Sequence, residues 1–129
     1  GGKRPEQFEK GFFYEPTVLT DMTPDMAIMT EEPFGPIMPI LDFDNIDEVI
    51  AKANDTEYGL AAYVLTNDLS AAFKMADGLE FGTIGINDPV PATPQAPFGG
   101  LKESGMGREN GIEGMDAYLE TKNVSVILQ

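Results

Sequence analysis

Residues 60–87 read LAAYVLTNDLSAAFKMADGLEFGTIGIN, and the architecture follows from them. Leu60 to Leu65 is almost wholly apolar, as suits a strand covered on both faces. Asp68 is a good helix N-cap. Leu69, Ala72, Phe73, Ala76 and Leu79 then recur at helical spacing on one apolar face. Gly82 to Asn87 forms a second short strand, and Gly85 inside it implies a close approach of backbone.

The same rhythm extends toward the N-terminus. Ile37 to Phe43 is strand-like, with Pro39 marking its beginning or an edge. Asp44 or Asn45 caps a helix in which Ile46, Val49, Ile50 and Ala53 fall at i, i+3, i+4 and i+7, and residues 54–59 end it. Strand, helix, strand, helix, strand at this spacing predicts right-handed βαβ crossovers and a mostly parallel sheet in an α/β fold. Further out, Thr23-Pro24-Asp25-Met26 has the composition of a helix start, with room to run only to about Thr30. Phe12 to Leu19 is aromatic and β-branched, a strand that Pro16 bends or confines to an edge. Residues 1–11 read as a loop.

Between these elements lies Glu31-Glu32-Pro33-Phe34-Gly35-Pro36. The two prolines fix their own φ and push Glu32 and Gly35 out of the α region. This backbone is stiff and extended, suited to holding a carboxylate and an aromatic ring beside something else. As a metal or acid/base pair, Glu31 and Glu32 lack a third ligand. Adjacent side chains of extended backbone point to opposite sides. One carboxylate is then structural or solvated, and the other is free to accept hydrogen bonds from hydroxyls. On composition alone, a solvated face accounts for both.

Toward the C-terminus, residues 88–111 break the alternation with Pro89, Pro91, Pro94 and Pro97 followed by Gly99, Gly100, Gly105, Gly107 and Gly111. A long loop in a compact domain is usually functional or disordered. Phe98 and Leu101 can anchor it as an ordered loop over a site. Phe98 serves equally as a pocket wall or as a core anchor. Gly105 to Gly111 superficially resembles a phosphate loop, but no strand leads into it and its third glycine comes one place late, so a tight turn before a helix is expected. Ile112, Met115 and Leu119 mark that short helix, and Asn123 to Leu128 a terminal strand. Arg108 and Glu120 are placed to form a structural ion pair.

Composition bounds the function. The 129 residues carry a net charge of −14, with neither Cys nor His. Such acidity argues against nucleic acid or an anionic membrane as partner. Without Cys or His there is no disulfide framework, no zinc site of the usual kind and no Cys/His or Ser/His catalysis within the chain. No metal ligand set and no catalytic residue is therefore assigned. No apolar run reaches membrane-spanning length.

Four stretches carry a resemblance to a known family. Gly11 to Leu19 resembles the strand before the cofactor-contacting segment of aldehyde dehydrogenases. Glu31 to Pro36 resembles the family's E-E-x-F-G-P. Ala53-Asn54 with Tyr58-Gly59-Leu60-Ala61-Ala62 is similar to its A-N-x-x-x-Y-G-L-A-A. Pro97 to Gly100 with Lys102, Ser104-Gly105 and Gly107-Arg108-Glu109 is similar to its P-F-G-G-x-K-x-S-G-x-G-R-E. The order and spacing match, and they cover the C-terminal portion of the family. Residues 92–97 most resemble succinate-semialdehyde and related small-aldehyde dehydrogenases.

The resemblance implies oxidation of a small aldehyde to a carboxylic acid with NAD or NADP, through a thiohemiacetal on a Cys. It implies that Glu32 accepts hydrogen bonds from the nicotinamide ribose and that Phe34 packs near the nicotinamide. Phe98 and the loop before it would line the aldehyde's entry. Arg108 and Glu120 would hold the C-terminal region together. Residues 1–122 would be the C-terminal part of the catalytic domain, and residues 123–129 an oligomerisation strand of a cytoplasmic homodimer or homotetramer. The family's nucleophilic Cys, general-base Glu, oxyanion-hole Asn and dinucleotide-binding domain lie N-terminal to the matched region. The chain is thus expected to be a fragment, inactive alone. The alternative is a non-catalytic binding or oligomerisation module that kept the fold.

Overall fold

The computed structural model describes residues 1–128 and divides into two compact units, Gly1–Asp44 and the chain from Asn45 onward. In the first unit β1 (Thr17–Leu19) pairs in parallel with β2 (Ile37–Pro39), Thr17 lying opposite Ile37 and Leu19 opposite Pro39. Both strands are shorter than the sequence predicts. The ladder continues one bond past Pro39, the Ile40 amide donating to the Leu19 carbonyl at 2.9 Å. Upstream of Pro16, the Glu15 amide turns to the Lys3 carbonyl instead. The helix expected from Thr23 reduces to a 3-10 turn over Ala27–Met29. The Thr23 hydroxyl bonds the Asp25 carboxylate rather than capping, and Met26 takes the cap position with no side-chain bond.

The second unit contains the βαβ unit read from residues 60–87. β4 (Ala61–Val64) and β5 (Thr83–Ile86) run parallel with Ala61 opposite Thr83 and Val64 opposite Ile86, and α2 (Leu69–Gly78) connects them. The Asp68 carboxylate accepts from the Ser70 and Ala71 amides at 2.8 and 3.2 Å, so the helix begins where its first orphan N–H groups find an acceptor. In α1 (Ile46–Asn54) the cap is Asn45, whose Oδ1 accepts from the Glu48 amide at 3.0 Å. The two helices pack together. The Asn54 amide group ties their C-terminal ends, donating to the Gly78 carbonyl at 2.8 Å and accepting from the Glu80 amide at 2.9 Å. Val64, Ala72 and Leu79 form the buried apolar core.

A third pair is antiparallel. β3 (Tyr58–Gly59) meets β6 (Leu101–Lys102), drawing part of the expected loop into a ladder. Two of the three pairs are thus parallel, and the fold class is α/β as predicted. The helix expected after Gly111 is a 3-10 helix over Glu113–Tyr118. Residues 123–128, expected as a strand, join no ladder among the described residues, and their side chains are exposed. A strand needs a partner's N–H and C=O groups to count as one.

Candidate functional site

In the first unit, residues 31–37 fold by two successive three-residue turns. The Gly35 amide donates to the Pro33 carbonyl at 3.0 Å, and the Ile37 amide to the Gly35 carbonyl at 2.8 Å. Three-residue turns of this kind are common where a loop meets a strand. Phe34 is the middle residue of the first turn and is 95% exposed. A ring that large left in water at such a tightly held position is available to a ligand or a covering surface. The Pro36 carbonyl then accepts from the Thr17 amide at 2.8 Å, so the segment hands its position directly to the β1–β2 ladder.

Phe34 borders a groove of about 440 Å³ whose other walls include Phe12, Phe13, Tyr14 and Ile37. Glu32 lies two residues before it, exposed. Neither Glu31 nor Glu32 spends its carboxylate on a side-chain hydrogen bond or ion pair among the described residues. An exposed, unpartnered carboxylate and an exposed ring on a stiff turn suit recognition of a ligand that carries hydroxyls and a planar ring.

In the second unit, residues 88–111 are ordered by their own bonds. Phe98 and Glu109 form a two-bond antiparallel bridge, amide to carbonyl at 2.8 and 2.7 Å. The Gly111 amide reaches the Pro94 carbonyl at 3.0 Å. Phe98 is half-buried, as an anchored wall residue would be. Gly82 lies against the Gly99 carbonyl so closely that any Cβ there would collide with it. This contact presses the loop onto the start of β5. As expected, Gly105 to Gly111 is a turn leading into a helical segment, with φ of 111° at Gly105 and 81° at Gly107.

Arg108 does hold this loop, but by a different route from the one expected. Its guanidinium donates to the Gly100 and Gly107 carbonyls at 2.9 and 2.7 Å. It makes no ion pair with Glu120, which is exposed and unpartnered among the described residues. Bent-back carbonyls of the loop sit within the arginine's reach, while Glu120 lies beyond the 3-10 helix. Two polar side chains that sequence reasoning passed over do comparable work. Lys102 donates to the Asn54 and Thr56 carbonyls at 2.9 and 3.2 Å and pairs with Glu80 at 2.7 Å. Asn87 bonds twice to the backbone of Thr66. Both have positive φ, of 54° each. For Asn that tolerance is a readable signal, whereas for Lys it is not.

Among the described residues no helix is long and apolar enough to cross a membrane. The model of one protein family, described as "Aldehyde dehydrogenase family", matches residues 1–124. A chloroplastic aminoaldehyde dehydrogenase of Arabidopsis thaliana is 48% identical over 98% of this chain and 25% of its own length. A probable succinate-semialdehyde dehydrogenase [NADP(+)] of Sinorhizobium fredii is 45% identical over 98% of this chain and 25% of its own. A crystal structure of betaine aldehyde dehydrogenase from Staphylococcus aureus, in complex with NAD+, superposes with a TM-score of 0.90 at 46% identity, over 95% of this chain and 25% of that one. The chain therefore spans about a quarter of the length of these relatives.

Proposed function

The chain belongs to the aldehyde dehydrogenase family, and we propose that its parent protein oxidises a small aldehyde to the carboxylic acid with NAD or NADP. The observation that carries this reading is the turn at residues 31–36. There an outward Phe34 borders a groove, and an exposed, unpartnered Glu32 lies two residues before it, inside the region that the family model matches. The fit to a nicotinamide riboside is chemical. An ionised carboxylate accepts from vicinal hydroxyls, and an aromatic face packs on a planar ring.

When bound, NAD(P) supplies the hydride acceptor. Glu32 would hold its ribose by the hydroxyls, and Phe34 would pack against its nicotinamide ring. Phe98 and the loop before it line the aldehyde's path. Arg108 ties together the turns after Phe98 through the Gly100 and Gly107 carbonyls, and Glu120, exposed in this chain, would serve the C-terminal region of the full-length protein. The nucleophile would be a Cys outside this chain, which has none, and would capture the aldehyde as a thiohemiacetal. Positioning two reactants in this way contributes through orientation rather than bond chemistry. Residues 1–122 supply part of the catalytic domain. Residues 123–129, of which 123–128 join no ladder in this chain and Gln129 lies outside the described residues, would supply a strand for the subunit interface of a cytoplasmic dimer or tetramer.

Relatives named for aminoaldehyde, betaine aldehyde and succinate semialdehyde favour a small aldehyde with a polar or charged far end. The names also include both an NAD+ complex and an NADP(+) enzyme, which keeps both cofactors in the proposal. The test uses the full-length protein with a small aldehyde and each cofactor. Glu32→Gln is expected to slow formation of reduced cofactor about tenfold or more, the scale of a lost hydrogen bond to a charged group. Capture of the aldehyde by thiol should persist. An unchanged rate under conditions where hydride transfer limits turnover would remove Glu32 from this role.

A further inference from the structure

β4 and β5 end side by side, and the chain leaves β5 at Asn87 to begin the loop that runs to Phe98. Asn87 is in the left-handed region, with φ of 54°. Its amide N–H donates to the Val64 carbonyl at 2.8 Å, the last backbone bond between the two strands. Its side chain then continues the ladder where the backbone cannot. Nδ2 donates to the Thr66 carbonyl at 2.7 Å, and Oδ1 accepts from the Thr66 amide at 3.0 Å. One carboxamide thus imitates a peptide unit and clamps the far end of β4 to the start of the loop. Beyond it, the Asp88 carboxylate accepts from the Val90 amide at 2.9 Å, closing a local turn.

Gly85, two residues earlier, is buried. A Cβ there would strike the Asp88 carbonyl and would stand 3.2 Å from the Tyr63 ring and 3.3 Å from Cγ of Pro91. The loop can therefore fold back over β5 only because this residue has no side chain. Between the folded loop and the strand ends lies an apolar cleft of about 390 Å³, lined by Tyr63, Leu65, Gly85, Asn87 and Pro89 among others. Clefts at the carboxyl ends of parallel strands are the usual ligand positions in open α/β sheets.

We propose that Gly85 and Asn87 are positioning residues that set the path of the 88–97 loop and, through it, the aldehyde selectivity of the site, an inference that rests on the aldehyde-oxidising role proposed above. Gly85 supplies the space and Asn87 the clamp. Neither touches the reacting atoms. Both act on where the loop and its end, Phe98, stand.

The test is made in the full-length protein with Gly85→Ala, Asn87→Gly and Asn87→Asp. Asn87→Gly keeps the left-handed backbone and loses the clamp. Asn87→Asp keeps the acceptor but sets an oxygen against the Thr66 carbonyl. Amide exchange over residues 88–97 reports the loop, and the ratio of kcat/KM between a short and a bulky aldehyde reports selectivity. Cofactor affinity is the control. Both the loop exchange and the ratio are expected to change in each variant, the ratio by about tenfold, with cofactor affinity held within about twofold. An unmoved ratio in Asn87→Gly and Gly85→Ala, in a wild type that oxidises aldehydes and in which Phe98→Ala does shift the ratio, would overturn this inference alone. A wild type without aldehyde oxidation would overturn the functional reading and this inference with it. Should Gly85→Ala fail to fold, the exposed Asn87 variants decide the matter by the same readouts.

Discussion

Phe34 owes its outward position to backbone, not to packing. Two proline-bracketed turns fix it, and nothing in the first unit covers it. Phe98 is the opposite case, half-buried and pinned by its bridge to Glu109. In the full-length protein Phe98→Ala is expected to shift preference among aldehydes by about tenfold, since a ring removed from a pocket wall changes what fits. Identical kcat/KM ratios across a panel of aldehydes would exclude it from the wall. Asp25 offers a test of local electrostatics. The Thr23 hydroxyl, and then Asp25's own amide, hold its carboxyl below the ordinary value, with burial opposing weakly. A depressed carboxylate contributes stability above its unfolded pKa and loses it as pH falls through the folded one. Thr23→Val should therefore raise the Asp25 pKa toward the ordinary value and weaken that acid-side dependence. An NMR titration of the Asp25 carboxyl that is unchanged by the substitution would show that the hydroxyl is not the cause.

At the scale of elements, α2 depends on its first turn. Asp68→Ala removes the acceptor for Ser70 and Ala71 and is expected to cost about 1 kcal/mol of helix stability. Amide exchange at Ser70 and Ala71 should quicken, while exchange in β5 stays the same. Equal protection in the variant would mean that packing alone holds the turn. The elements with strong periodicity were legible in the sequence. The Leu69–Leu79 stripe and the Asp68 cap led directly to the βαβ unit. The elements that were not legible are short or bonded to distant partners. β3 and β6 have two residues each, too few to show alternation, and they form because Tyr58 meets Lys102 across more than forty positions of chain. The first-unit helix failed because Thr23 satisfied Asp25 rather than the backbone. The stiff turn that leaves Phe34 outward in the first unit, and the anchoring of Phe98 within an ordered loop in the second, were legible from proline and glycine placement. The clamps made by Asn87, Lys102 and Arg108 were not, because carbonyl acceptors leave no trace in a sequence.

Across the whole molecule, the apolar surface is only partly covered. Along α2, Ala72 and Leu79 are buried while Leu69 and Phe73 are 71% and 64% exposed. The stripe read as one apolar face is thus covered along one edge only. This exposure fits a chain that spans a quarter of its relatives' length and is proposed to act within a larger protein. The proposed function divides the chemistry in the same way, with cofactor and aldehyde positioning assigned to this chain and the nucleophile to the rest of the protein. The most direct measurement compares the full-length protein with the isolated 129-residue chain, each mixed with a small aldehyde and NAD+ or NADP+. Full-length protein is expected to form reduced cofactor and carboxylate in equal amounts, and the isolated chain to form neither. Sustained turnover by the isolated chain, or none by the full-length protein with any small aldehyde, would contradict that division of labour.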